Sequence, residues 1–512
     1  MKMLGYRTYE EAIENFTWDQ TWELFDGTPQ NFNMGHECVD RHVDKGTAIR
    51  IKFYDGHREE YTFDQLSKMS SQFAHGLEAM GIQSEDKVAI MLDPSLEYYV
   101  SLFGTMKRGA IAVPCYSQFG SEALEYRLKD SGAKILVTTE KIAKMAVDWS
   151  DTNIITAGPP FQEFIENQPK QYKPKTTAKD VAVYQYTSGT TRKFPEAIKH
   201  YHRSIVTLMP AAVFGRGLRF GDRYFCPSNP AWGHGLWHGT LSPLALGIAV
   251  GAYSGKFNVE VFLKGLEEFE IDNLGAAPTV YRMMKNSGLV GRFNLKIKKM
   301  HYTGEPMDTD TFQFLKETFE VPPHSGYGST EAGALIYQYA GFKNWVVKPV
   351  SLGKPMPGIE IALLDKEGKE VPAGTIGEIA IRRRGEWFRV KDAAVVDEDG
   401  YYWHKGRVDD VIISAGWTIS PTEVEDVLQK HPSVLEVAVV GVPDKERGQI
   451  VKAFIVTKRD PSQKLKEEIQ NFIKERLSKH EYPREIEFMK NLPKTEGGKI
   501  KKEELKRMAS IG

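Results

Sequence analysis

Cysteine is scarce: Cys38, Cys115 and Cys226 are the only three in 512 residues, and they are widely spaced. No CxxC pair occurs, which argues against a disulfide framework and a zinc site. Small buried thiols in a reducing, cytoplasmic setting are expected instead. Net charge is nearly absent too, with 67 Lys+Arg against 68 Asp+Glu. An electrostatic grip on nucleic acid or on an anionic membrane is therefore not expected. No apolar run reaches the roughly 18 residues that a membrane span requires. Glu10, Glu11 and Glu14 come too early for a basic-then-apolar leader, so no secretory signal is expected. Internal repeats and low-complexity tracts are also missing.

What is there reads as an α/β protein. At 512 residues the chain is too long for one core, and two or three domains are expected. Thr62-Phe63-Asp64-Gln65 forms a capping box, followed by Leu66, Met69, Phe73, Leu77 and Met80 at helical spacing and by Gly81 as a stop. The short apolar run Val88-Ala89-Ile90-Met91-Leu92 fits a buried parallel strand. Two further cycles follow: a helix near 95–108 with strand 111–113, and a helix near 121–130 with strand 135–138. Such repeated units predict a parallel sheet covered on both faces. Residues 157–180, with four prolines and few aliphatics, read as a connector before a strand at 181–186.

From 345 to 405 glycine and proline punctuate short strands, which predicts a β-rich subdomain. A last unit begins near Asp409, with a helix at 421–430, strands at 435–441 and 449–456, and an amphipathic helix at 463–478. The expected division is 1–408 for a large domain and 409–512 for a small one.

Straight after the 181–186 strand comes Thr187-Ser188-Gly189-Thr190-Thr191, one glycine among four hydroxyl residues. Such a loop offers N–H and O–H donors to a polyphosphate. It lacks the Gly-Lys-Ser/Thr of a Walker loop, and a polar surface turn is the alternative. Downstream, in order, stand Gly304-Glu305-Pro306-Met307; Tyr327-Gly328-Ser329-Thr330-Glu331; Asp392 and, fifteen residues on, Arg407; and Leu492-Pro493-Lys494-Thr495-Glu496-Gly497-Gly498-Lys499-Ile500. Each is weak alone. Together, in this order, they closely resemble the adenylate-forming superfamily of acyl-CoA synthetases, luciferases and peptide-synthetase adenylation domains. The resemblance runs from about residue 35 to the end. Gly441-Val442-Pro443-Asp444 and Tyr482-Pro483-Arg484-Glu485-Ile486 look like acyl-CoA synthetases in particular.

That resemblance implies a large N-terminal domain of αβαβα-layered parallel sheets with a β-rich subdomain, and a small mobile α+β C-terminal domain. It implies AMP-forming ligation of a carboxylic acid to CoA, driven by ATP with Mg²⁺. The residues from Thr187 to Thr191 would cradle phosphates, Glu331 would ligate Mg²⁺, and Thr330 would donate to the α-phosphate. Tyr327 would stack on adenine, with Gly304, Glu305 and Pro306 as the other wall, beside Gly328 and Ser329. Asp392 would accept from the ribose hydroxyls, and Arg407 would bind ribose or phosphate oxygens. Lys499 would bridge the attacking carboxylate and the α-phosphate. Asp409 matches the hinge, and Gly416 would let pantetheine pass once the small domain has swung; Trp417 lines that tunnel or simply packs.

The chain departs from the family after Thr191, where Arg192-Lys193-Phe194-Pro195-Glu196-Ala197 replaces the usual Gly-x-Pro-Lys-Gly. Glu196 takes the usual lysine position, and Arg192, Lys193 or Lys199 would have to supply the charge. In the acyl region, His234 aligns with a gate beside the carboxylate, and Trp232 and Trp237 shape either pocket or core. Acetate-specific relatives carry tryptophan at Gly328, so its absence favours a longer, branched or ring-bearing acid. No Lys or Arg stands in this stretch, which weighs against a second carboxylate on the substrate. Loading of a carrier-protein thiol and a non-catalytic acyl-AMP or nucleotide sensor are the alternatives. The sequence assigns no oligomeric state.

Overall fold

The computed structural model describes the chain except for residues 1, 146–151, 187–196, 330–331, 409, 415–416, 445–446, 478–481, 496–497 and 512, and the side chains of 145, 413, 417, 418, 510 and 511. The phosphate-loop candidates Thr187–Thr191, the altered segment after them, Thr330, Glu331, Asp409 and Gly416 therefore lie outside the described residues, as does the side chain of Trp417.

Two large sheets form the body. One has six strands in the order Asn153–Thr156, Ala133–Thr138, Lys87–Met91, Ile111–Pro114, Val181–Tyr186 and Ala197–Tyr201. All neighbours are parallel except the last pair. The other has nine strands, with a parallel centre of Pro323–Ser329, Lys299–Tyr302, Asn273–Ala276, Tyr224–Phe225, Val250–Ser254 and Thr47–Phe53, and antiparallel strands at its edges. The helix Phe63–Ala79 starts on the expected reciprocal cap, Gln65 N–H to Thr62 Oγ1 at 3.1 Å and Thr62 N–H to Gln65 Oε1 at 2.9 Å.

The connector reading of 157–180 needs correction. Pro159–Glu166 is a helix, with proline in its first turn and Phe161 and Ile165 buried. Phe161 stacks on Phe73 at 5.5 Å, and Phe164 fills the space left open by Gly76, whose Cβ would lie 2.6 Å from its ring. Aromatic side chains supply the buried face that the scarcity of aliphatics concealed.

A four-stranded antiparallel sheet follows: Ile361–Leu364, Gly377–Arg383, Glu386–Val396 and Tyr402–Arg407. Beyond it the hairpin Val434–Asp444 with Gly448–Thr457, the parallel strand Glu485–Phe488 and the helices Pro421–Gln429 and Gln463–Lys474 close around their own core, including Val424, Leu428, Val439, Val451, Leu465 and Ile469. The second of these helices ends at Lys474, short of the expected 478. This unit touches the body where Thr309 donates its N–H and hydroxyl to Asp426 Oδ1, each at 3.1 Å, and where Lys405 pairs with Glu423. Among the described residues, no helix is long and apolar enough to cross a membrane.

Candidate functional site

The strands Val181–Tyr186, Tyr224–Phe225, Lys299–Tyr302 and Pro323–Ser329 each run directly into, or end within, one of the chemistry-bearing stretches. Tyr224–Phe225, Lys299–Tyr302 and Pro323–Ser329 belong to the parallel centre of the nine-stranded sheet, so the loops at their carboxyl ends gather at one edge of it, while Val181–Tyr186 belongs to the six-stranded sheet.

The turn after Tyr224–Phe225 is locked by Asn229, whose side-chain carbonyl accepts from Ala231 N–H at 2.8 Å and whose backbone carbonyl accepts from Trp232 N–H at 2.9 Å. His234 then opens a π-helical turn, His234–Leu241, a distortion common at functional sites. Its Nδ1 lies 2.9 Å from Ser228 Oγ, while its Nε2 is buried and has no partner. Burial, reinforced by the nearby Arg216 charge, pushes His234 down to about 3, so the imidazole is neutral at ordinary pH. Trp237 is buried, and its indole N–H donates to Gln185 Oε1 at 3.0 Å, tying this segment to the strand that leads into Thr187.

Trp232 is the meeting point. Gly304 has φ +98°, and a Cβ there would sit 2.6 Å from the Trp232 ring, so backbone conformation and space both require glycine. From the small C-terminal unit, Lys499 brings its Nζ to 5.9 Å from the centroid of the same ring. A tight turn presents that lysine: Thr495 N–H donates to the Lys499 carbonyl at 2.7 Å, Lys499 N–H to Thr495 Oγ1 at 3.1 Å, and Gly498 takes φ +82°.

Glu305 faces away from this meeting point. Its carboxylate accepts from Thr279 N–H at 2.7 Å and from Arg282 Nη2 at 3.0 Å, clamping the first turn of the helix Pro278–Ser287. The Glu305 side chain is thereby taken up elsewhere, leaving the backbone of 304–306 and the Pro306 ring to line a slot. Gly328 is exposed, and a Cβ on it would lie 2.1 Å from the Gly333 carbonyl across the hairpin. The close approach of the two strands thus requires glycine there, apart from any effect on a pocket. Ser329 Oγ accepts from Ala332 N–H at 3.0 Å. Lys199, a candidate replacement charge, lies exposed over the Tyr184 ring at 5.5 Å.

A second cluster forms on the four-stranded sheet. Tyr327 donates its hydroxyl to Asp392 Oδ2 at 2.6 Å, and Arg407, directly across the ladder, lies 3.5 Å from Asp392 Oδ1. Burial would raise Asp392, but His404, Tyr327 and Arg407 together hold it below the usual carboxylate range. His404 Nε2, 3.7 Å from the same oxygen, has no role in the sequence reading. Strand alternation puts residues 404 and 407 on opposite faces. A bulge in this pairing, beside Gly406 at φ +103°, turns both toward Asp392.

Arg216 was also not singled out from the sequence. It follows the π-helical turn Ala211–Gly215 and is 1% exposed. It lies outside the stretch around Gly328 that the sequence reading found free of Lys and Arg. The arginine comes from a separate element, and its charge acts on His234, His238 and His301.

The AMP-binding enzyme family matches residues 37–386, and the AMP-binding enzyme C-terminal domain matches 423–499. The chain belongs to the AMP-binding enzyme family. Acetyl-coenzyme A synthetase of Bacillus subtilis is 32% identical over 98% of this chain and 95% of its own length. The mitochondrial acyl-coenzyme A synthetase ACSM3 of Rattus norvegicus is 31% identical over the same shares. Among solved structures, an anthranilate CoA ligase in complex with anthranoyl-AMP superposes with TM-score 0.87 at 28% identity, covering 97% of this chain and all of that one. A benzoate CoA ligase of Burkholderia xenovorans does so with TM-score 0.81 at 27% identity, covering 93% and 100%. Within the family, the chain is an acid–thiol ligase of the acyl-CoA synthetase type.

Proposed function

We propose that the protein activates a carboxylic acid with ATP to acyl-AMP and pyrophosphate, then transfers the acyl group to CoA with release of AMP. The observation that carries this reading is the position of Lys499, held by its turn over the Trp232 ring, whose edge packs on the neutral His234. A carboxylate attacking an α-phosphate brings two anions together, and a cation delivered between them offsets the repulsion. In this reading Tyr327 offers a flat face to adenine, and Asp392, held ionised, accepts from ribose hydroxyls with Arg407 beside it. Binding of ribose exchanges the Tyr327–Asp392 hydrogen bond for ligand contacts. Trp232 and His234 flank the reacting carboxylate. His234, being neutral, orients by hydrogen bonding rather than by charge.

Thr187–Thr191 and Thr330 are assigned to the phosphates, Glu331 to Mg²⁺, Asp409 to the hinge and Gly416 to the pantetheine path; these assignments rest on the family's motifs. Among the described residues no group of three metal-binding side chains occurs. Bound Mg²⁺ would supply charge neutralisation on the phosphates. We place the boundary between the two domains at 408/409. The acyl-AMP in the anthranilate ligase supports the intermediate; two neighbours are named for aromatic acids and a 32% identical relative for acetate, so the preference for a longer or ring-bearing acid rests on Gly328.

Acid-dependent exchange of pyrophosphate into ATP, followed by AMP release with CoA, tests the reading. Exchange with no acid of a broad panel would leave the nucleotide-sensor alternative. Exchange without CoA thioester, but with loading of a carrier-protein thiol, would replace CoA as acceptor.

A further inference from the structure

Behind His234 lies a group of buried polar atoms without partners. Arg216 is 1% exposed, yet among the described residues its Nε and Nη1 have no hydrogen-bond partner. Nη2 reaches only the Tyr337 hydroxyl, at 3.4 Å, with the guanidinium 5.8 Å from that ring's centroid. Among the described residues it forms no ion pair. The nearby carboxylate Asp222 is already engaged, at 2.9 Å by Lys299 Nζ and at 3.0 Å by Asn273 Nδ2. His234 Nε2, His238 Nδ1 and His301 Nε2 are unpartnered as well. His234 and His301 are 3% and 4% exposed, so solvent does not satisfy them.

These groups are continuous with the proposed reaction centre. Lys499 lies over Trp232, Trp232 packs edge-on to His234 at 5.3 Å, and His234 lies 6.1 Å from His238. Arg216 stands on the same face of the nine-stranded sheet as His301: Asn273 Nδ2 donates to the Arg216 carbonyl at 3.5 Å, Gly275, two residues on, pairs with His301, and His301 stacks on Tyr224 at 5.6 Å. Two π-helical turns frame the interval, Ala211–Gly215 ahead of Arg216 and His234–Leu241 from the gate. The Arg216 N–H is spent on the Ala211 carbonyl at 3.0 Å, which fixes its backbone.

An arginine buried without a counter-charge is held against its own desolvation, and its planar fork matches a carboxylate with two parallel hydrogen bonds. The histidines are neutral and add donors or acceptors rather than further charge. We infer that the acyl site is built for a dicarboxylic acid, whose distal carboxylate is received by Arg216 with His238 and His301 while the other is adenylated beside Trp232 and His234. The inference rests on the acyl-CoA synthetase reading and narrows its substrate class. It reverses the expectation drawn from the cation-free stretch around Gly328.

The test compares matched acids on the full-length enzyme: succinic to suberic acid against butyric to octanoic acid, and isophthalic against benzoic acid, scored by AMP release with CoA. The best diacid should exceed its matched monoacid by roughly 100-fold or more in kcat/KM, since a site with buried donors discriminates strongly against analogues that leave them unpaired. Arg216→Met should abolish that preference and raise the monoacid rate. Diacids should raise the melting temperature of the wild-type enzyme in the absence of ATP, whereas monoacids should not. Equal or better use of monoacids by the wild-type enzyme overturns the proposal and leaves the ligase reading intact. Preference for half-esters or hydroxy acids over diacids overturns it in favour of a neutral distal group. AMP release with no acid of either series overturns both. If Arg216→Met does not fold, the wild-type series and the melting shifts decide alone.

Discussion

The cluster around Asp392 and the cluster around Arg216 are made of the same materials, an arginine, histidine and tyrosine in a largely buried setting, yet they differ in pairing. Asp392 accepts from Tyr327 and faces both Arg407 and His404, so its charge is balanced before any ligand arrives. Among the described residues, Arg216 has one long contact to a tyrosine and no carboxylate. A pre-balanced site exchanges partners when it binds, and its energetic gain is a difference between two similar states. An unbalanced site gains the full pairing. The first arrangement suits a nucleotide that must enter and leave each turnover, and the second suits a selective filter.

The sharpest way to break this comparison is to remove the cation proposed for the adenylation step. Lys499→Ala should lower acyl-AMP formation by about 100-fold or more while leaving thioester formation from supplied acyl-AMP near the wild-type rate. Pre-steady-state measurement of the two half-reactions checks this, and equal loss in both would remove the assignment. Next in size, Asp392→Asn should raise the KM for ATP by roughly 10- to 100-fold, as loss of a charged hydrogen-bonding partner does, with the ranking of acids unchanged. A changed ranking would mean that the two clusters are one coupled site.

A pH series separates them further. Burial pushes His234 down to about 3 and His200, His202 and His324 to about 4. In the unfolded chain such groups titrate near 6.5, so the unfolded state binds more protons below that pH. Stability should be level above pH 7 and fall as pH drops from about 6.5 toward 4. Melting curves across that range test the sign; a rise on acidification would contradict neutral burial. The kcat profile should show no His234 ionisation between pH 6 and 8. The smallest effect is expected at the contact between body and small domain. Asp426→Ala removes the acceptor of Thr309 and should alter the thioester-forming step by no more than about threefold, as a partly exposed contact would.

Much of the fold was legible in the sequence because local rules and global structure agree there. The Thr62–Gln65 cap, the apolar run at 181–186 and the helix read near 95–108, which spans Leu96–Arg108, were visible from local pattern alone. The helix Pro159–Glu166 was not, because its buried face is aromatic and its prolines sit where a helix begins. At the site, the order of motifs led to Tyr327, Asp392, Arg407 and Lys499. His404 was hidden by a bulge that breaks strand alternation. Arg216 was hidden because nothing local marks a charge as buried. A π-helical turn and the convergence of distant strands made it so.

All three thiols are buried, with Cys115 pushed up to about 12 and Cys38 and Cys226 also raised by burial. At neutral pH they are poor nucleophiles toward maleimide dyes. A reporter pair can therefore be installed without first deleting any native residue, for instance by cysteines at exposed Glu260 on the body and exposed Glu467 on the small domain. Energy transfer between two such dyes would report, in real time and in single molecules, whether the small domain moves so as to lift Lys499 from Trp232.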